Sequence, residues 1–482
     1  MITSSFSFLL FVVLSFIIYW ALPAKGNKKT LFLLFTNTLF YLFFSWQFLL
    51  LLFISASLSF YIGKQIRINE ENEKTRTIWF WSGIVLVLGN LLYFKYTNFF
   101  IQSFSDFLQM IGFNTHFHTL RILIPIGISY FTFKQLSYLI DIYQESYEAQ
   151  KDTLLDYVSY ITFFPTILSG PIDRPSDFLP QIRQPKKFDY HQVSLGVEQI
   201  IWGLFKKVVI ADNCARYVDA VWGKYDYFSS ATLALAAIIY VIQLYADFSG
   251  YSDIAIGVGR LFGYKVTDNF KYPLFALNIS DFWKRWHISL TSWVTDYIFT
   301  PLAFIWRRYK KWGIIGAIII DFLIVGFWHG ANWQYLVYGL FHGLLFIPLI
   351  FSNQLSQTQK IRTTRLGLPI VSDVIRILGT FILVAFSFIL FRASSLEAAI
   401  HYIRNLFSVS FFRLPYFLEE VDRWPLVIAI SLLLVVEIYW KKTHYLNLPF
   451  KSFSGRICIY LFLGLYMLLY AGPVAQSIYV QF

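Results

Sequence analysis

The chain has 482 residues, 57% of them hydrophobic and only 14% charged, where a soluble domain carries about 25% charged residues. Its 52 Phe, 32 Tyr and 15 Trp lie in repeated apolar runs of about 20 residues, which exclude a water-soluble fold. The net charge of +12 does not mark a nucleic-acid partner, because the basic residues cluster in short connections in the manner of cytoplasmic loops beside anionic lipid.

Those clusters are Lys25/Lys28/Lys29, Lys64/Arg67/Lys74/Arg76, Arg183/Lys186/Lys187, Arg307/Arg308/Lys310/Lys311 and Lys360/Arg362/Arg365. Phe6 to Leu22 has its lysines after it rather than before it, so it reads as a first spanning helix and not as a secretory signal. Its start is expected outside and Lys25 to Lys29 inside. Leu31 to Ile62 has basic segments at both ends and 32 residues, ~48 Å as one helix. A tight hairpin turning near Ser45-Trp46 accommodates it. Trp79 to Phe100 is predicted to cross outward, Ile101 to Leu120 to lie outside, and Ile122 to Ile142 to return with a kink at Pro125.

Leu154 to Ser169 is apolar but short, and reads as a re-entrant or tilted element. Leu195 to Trp222 and Ala231 to Phe262 continue the membrane core. Ile370 to Phe391, Pro425 to Trp440 and Ile457 to Ala471 are plainer spans. The expected fold is all-α: a polytopic transmembrane bundle with about 11 spans, re-entrant or interfacial helices, and a central tunnel. No stretch outside the membrane is long enough for a soluble domain, so residues 1–482 read as one membrane domain.

Four constellations could carry chemistry. The segment from Asn278 to Tyr297 holds His287, with Trp283, Trp286, Leu290, Trp293, Val294 and Tyr297 at helical spacing and Asp281, Lys284 and Arg285 largely off that stripe. It is expected as one interfacial or re-entrant helix, capped by Ser280, closed by Pro301 and too polar to span. An aromatic-belt anchor is the plain alternative. The run Phe322-Leu-Ile-Val-Gly-Phe-Trp328-His329-Gly-Ala-Asn332-Trp333 places an imidazole at membrane depth. Ionisable groups there are costly and mark function by default, and imidazole carries protons near neutral pH. Gly330 and Asn332 break the helix beside it, which lipid-exposed backbone does not tolerate. His342 falls on another face and is expected to pack.

Asp247-Phe-Ser-Gly-Tyr-Ser-Asp253 sits inside an apolar span, and the two acids are expected to pair with Arg260, Arg285 or a histidine. The glycines nearby suit close helix packing rather than phosphate binding. Phe163-Phe-Pro-Thr-Ile-Leu-Ser-Gly-Pro-Ile-Asp-Arg-Pro175 cannot be a straight helix. His116-Phe-His118 reads as solvated. Cys214 and Cys458 are too few for a disulfide framework or a zinc site. There is no Gly-x-Ser-x-Gly elbow, Walker loop or His-Glu-x-x-His, so neither a metal nor ATP is expected.

The stretches 163–177, Trp202-Gly-Leu-Phe-Lys-Lys207 through Asp212, Ala246 to Asp253, Asp281 to Leu290, Phe327-Trp-His-Gly330, Leu390-Phe-Arg-Ala393 and Tyr479-Val-Gln-Phe482 run in order over most of the chain. In combination they resemble the membrane-bound O-acyltransferase (MBOAT) family, in its bacterial alginate O-acetylase branch. Relatives continue Asp-Tyr-Leu-Tyr-Ile-Pro-Leu-Gly-Gly where this chain has Asp296-Tyr-Ile-Phe-Thr-Pro-Leu-Ala-Phe304, so the following loop differs.

The resemblance implies that His329 is the catalytic histidine and His287 the second active-site histidine. Asp247, Asp253, Arg285, Asn332 and Trp328 are candidates for the tunnel or its polar network. It also implies a multi-pass protein of the bacterial inner membrane with no bound cofactor. The acyl donor is a cytoplasmic co-substrate, acetyl-CoA or an acyl carrier thioester. The acceptor side is a polysaccharide or an extracytoplasmic partner acyltransferase, giving O-acetylation of exported or surface glycan. D-alanyl transfer from a carrier protein to teichoic acid is the enzymatic alternative. A carrier flipping glycan or lipid, with histidines as proton relay, is the non-enzymatic one.

Overall fold

The computed structural model describes residues 4–24, 26–113, 117–355, 361–363, 369–417, 423–442, 453–473 and 478. Lys25, His116, Lys360, Arg365 and the Tyr479–Phe482 block lie outside them. The described residues are helical, with no strand among them. Among the described residues, eight helices are long and apolar enough to cross a membrane, and Phe6–Ala21 and Ser454–Tyr470 are shorter apolar helices.

The described residues form two compact units, those up to 200 with 254–267, and those of 201–253 with the ones from 268 onward. In the first, the hairpin is present as Lys28–Leu42 and Trp46–Ile68. Ser45 sets the turn, accepting a hydrogen bond from the Phe48 N–H at 3.3 Å. Helix continues from Glu73 through a π-helical turn at Leu92–Tyr96 to Met110, so the stretch expected to lie outside the membrane begins as helix. One expectation fails here. Pro125 precedes the Ile128–Tyr143 helix instead of kinking it, because Gly127 starts that helix from a left-handed conformation at φ 76°. A Cβ on Gly127 would lie 2.2 Å from the Ile167 carbonyl oxygen. The Pro-rich stretch is broken as expected, with short helices Leu154–Ile161 and Pro175–Arg183 on either side.

The connection after Tyr143 carries Asp152, which pairs with Arg183 at 2.7 Å and accepts from the Tyr147 hydroxyl at 2.9 Å. Burial outweighs these partners and pushes its carboxyl from 3.8 up to about 6. A raised carboxyl pKa means the folded state holds the proton more tightly than the unfolded state. Stability from this group is therefore lost as pH rises from about 4 to about 6. Asp152→Asn should flatten the melting temperature of the detergent-solubilised protein across that window. An unchanged slope would contradict the assignment.

The second unit holds the Ser230–Leu261 helix up to Asp253, then Lys311–His329, Trp333–Leu345, Val371–Arg392, Leu396–Leu406, Arg423–Lys442 and Phe453–Tyr470. Lys311–His329 and Trp333–Leu345 pack backbone to backbone. A Cβ on Gly326 would sit 2.2 Å from the Tyr335 carbonyl oxygen, and one on Gly339 2.2 Å from that of Phe322. Small residues permit this approach where lipid supplies no hydrophobic drive between helices. Gly339→Val forces the pair apart. Overpacking costs about 1–3 kcal/mol, so we expect a lower melting temperature in detergent, and an unchanged one would show that the helices yield freely.

Candidate active site

His329 ends the Lys311–His329 helix, and Gly330 leaves it in extended backbone at φ −177°. Asn332 restarts helix by accepting from the Trp333 N–H at 2.8 Å, and its amide donates to the Ser394 carbonyl at 3.4 Å. Gln334 donates likewise to the Ala393 carbonyl at 3.1 Å. Two side chains thus lash the turn after His329 to the end of the Val371–Arg392 helix. The break that the sequence requires is held in protein, as membrane backbone must be.

His287 does not lie within one continuous helix. Asn278, not Ser280, caps Ile279–Trp283, accepting from the Asp281 N–H at 2.8 Å. Helix resumes at Ile288, and His287 between them is left-handed at φ 46°, ψ 51°. For a residue with a Cβ that conformation costs about 1–2 kcal/mol, and such outliers cluster at functional sites. Asn269 holds the turn: its carbonyl accepts from the Ile288 N–H at 2.9 Å and its side chain from the Ser289 hydroxyl at 2.7 Å. Pro301 does not close the segment. It lies in the first turn of Thr300–Ile305, and Ile288–Ile305 is long and apolar enough to span. The polar residues that suggested otherwise sit before the break.

The two imidazoles share an aromatic box. The Trp328 ring centroid lies 5.6 Å from that of His287 and 4.9 Å from that of His329. Phe248 meets His287 edge-on at 4.7 Å, and Phe391 meets His329 edge-on at 5.0 Å. Trp328 therefore touches both histidines. His287 is 0% exposed and His329 1% exposed, so the aromatic box keeps both imidazoles away from solvent in this conformation.

His342 packs, as expected. Its Nδ1 accepts from the Trp283 indole N–H at 3.2 Å, and its Nε2 lies 3.0 Å from the Ser387 hydroxyl. Both nitrogens are occupied by structure.

The acidic pair is a buried network, but among the described residues its ion-pair partners are lysines and not Arg260, Arg285 or a histidine. Lys207 pairs with Asp247 at 2.7 Å and Asp212 at 2.8 Å, and Lys206 pairs with Asp253 at 2.5 Å. Both lysines lie on a π-helical turn, Phe205–Ala211, at the end of the Tyr190–Leu204 helix. The Tyr245 hydroxyl donates to Glu437 nearby. Arg285 pairs instead with Asp281 at 2.8 Å, one helical turn back and partly exposed. Sequence reasoning missed both lysines as partners, although two adjacent cations in an apolar run were a sufficient signal. It also passed over Asp321, buried eight residues before His329 on the same helix, whose Oδ1 has no partner among the described residues.

The profile of the "MBOAT, membrane-bound O-acyltransferase family" matches residues 2–393. This chain belongs to that family. It is an acyltransferase that passes several times through a membrane. It is similar to the peptidoglycan O-acetyltransferase of Helicobacter pylori, with 32% identity over 86% of this chain and 81% of that protein. It also resembles the probable alginate O-acetylase AlgI of Pseudomonas aeruginosa, 32% identical over 79% of this chain and 70% of that one. The teichoic acid D-alanyltransferase of Bacillus subtilis is 32% identical over 55% of this chain and 68% of its own length. MBOAT membership sets aside the carrier reading, which predicts no covalent chemistry.

Proposed function

We propose that this MBOAT protein sits in a bacterial inner membrane and moves an acetyl group from a cytoplasmic thioester to an exported or cell-surface polysaccharide. The observation that carries it is His329 at the far end of its helix from the basic Lys310-Lys311 pair. With the basic end cytoplasmic, the imidazole lies toward the outer leaflet, where an exported acceptor arrives. The longer match to the O-acetyltransferase than to the D-alanyltransferase supports acetyl over D-alanyl.

Neutral His329 takes the proton of the acceptor hydroxyl as its oxygen attacks the thioester carbonyl carbon. The tetrahedral intermediate collapses by breaking the carbon–sulfur bond, and the imidazolium returns the proton to the leaving thiolate. His287, or a backbone N–H in the turn around it, stabilises the oxyanion. The aromatic box excludes water that would hydrolyse the donor, and holding both substrates in place supplies proximity. An acceptor polysaccharide or a partner acyltransferase outside the membrane receives the group.

The test is transfer of labelled acetyl from acetyl-CoA to envelope glycan in vesicles containing the purified protein. A D-alanyl carrier thioester serves as competitor donor. Acetyl transfer is expected. Transfer of D-alanyl alone would move the assignment to teichoic acid chemistry.

A further inference from the structure

A second polar site lies beside the His329 turn, and no role is assigned to it above. After Phe391, which touches His329, the chain leaves its helix at Arg392 and Ser395 caps the Leu396–Leu406 helix. That helix and Tyr225 of the short turn Tyr225–Tyr227 flank a pocket of about 770 Å³ open to the surface, lined by Tyr225, Glu397, Ile400, His401 and Arg404 among others. Three residues of chain thus separate Phe391, which touches His329, from Ser395 on the pocket wall, and the Asn332 and Gln334 hydrogen bonds hold that connection.

The pocket is built on fixed groups. Tyr402 stacks on Trp222 at 4.0 Å and 11°, and its hydroxyl donates to the Leu233 carbonyl at 2.8 Å. Asn405 donates to Asp226 at 3.0 Å, and the same carboxylate lies 3.6 Å from His401 Nε2. Tyr225 meets His401 edge-on at 5.6 Å. Arg404 and Glu397 have no side-chain partner among the described residues. The lining therefore offers a tyrosine ring, the aliphatic side chains of Leu396, Ala398 and Ile400, and free donors and acceptors of both signs.

We infer that this pocket binds a glycan chain, and so holds the acceptor next to the reacting histidine. A pyranose presents apolar C–H groups on its ring faces and hydroxyls around its edge. Tyr225 and Ile400 suit the faces, while Arg404, Glu397 and His401 suit the hydroxyls, each of which donates and accepts. Sidedness agrees: the Val371–Arg392 helix begins near basic Arg362 and ends at the pocket, placing the latter outside the cytoplasm. The inference rests on the acyltransfer reading only for its purpose, since binding is measurable without chemistry.

The experiment uses the full chain in nanodiscs with two probes, a β1→4 N-acetylglucosamine tetramer and a β1→4 mannuronate tetramer. Binding of at least one is expected, weakened about tenfold or more by Tyr225→Ala and by Arg404→Ala. Binding of neither, or equal binding by wild type and both variants, overturns the proposal. In the transfer assay at saturating donor, the same variants should raise the acceptor KM about tenfold and leave kcat within about twofold. A merely structural defect would lower kcat. Normal KM in both variants sinks the pocket while leaving acyl transfer intact. If wild type transfers no acyl group, the binding arm alone decides the pocket, and the function falls separately.

Discussion

His329→Gln should cut acyl transfer by about 10²–10⁴-fold, the span that a positioned general base contributes. The amide keeps polarity and approximate size inside the rings of Trp328 and Phe391, so the folded protein should survive, with its detergent melting temperature near wild type. Labelled transfer in vesicles and a thermal melt measure the two effects separately. Retained transfer by His329→Gln would remove this histidine from the chemistry. His287 needs a different substitution because its backbone is left-handed. Asn tolerates that conformation better than most residues, so His287→Asn removes the ring while keeping the turn. A smaller loss than at His329 is expected if the second imidazole orients or stabilises and does not accept the proton.

Lys207→Met should destabilise the protein by about 3–5 kcal/mol, because removing one member of a buried ion set leaves the others uncompensated. Here two carboxylates, Asp247 and Asp212, lose their shared cation, and the side chains are 2% exposed. The expected reading is loss of monodisperse protein on size exclusion and a large fall in melting temperature. Combining Lys207→Met with Asp247→Asn and Asp212→Asn should recover much of that loss, since no charge is then stranded. Failure of the triple variant to recover would mean that Lys207 contributes packing rather than charge balance. Such a network pins the Phe205–Ala211 turn against the Ser230–Leu261 helix, and that helix presents Phe248 to His287.

Much of this protein can be read from the chain itself, and the reason is the solvent. Lipid demands long apolar helices with satisfied backbones, so the hairpin at Ser45, the late spans and the broken Pro-rich stretch follow from hydropathy and turn residues. His329 stands out as a candidate for the same reason, since a lone imidazole in an apolar run is costly, and the break after it, expected from Gly330 and Asn332, is present. What only the tertiary structure decided were contacts between residues far apart in sequence. The left-handed turn at His287 is set by Asn269, and the partners of Asp247 and Asp253 come from another helix. The Phe391 ring that meets His329 comes from a separate helix too. Periodicity records which face a residue occupies, but a partner arrives from elsewhere in the chain, and only packing fixes which one.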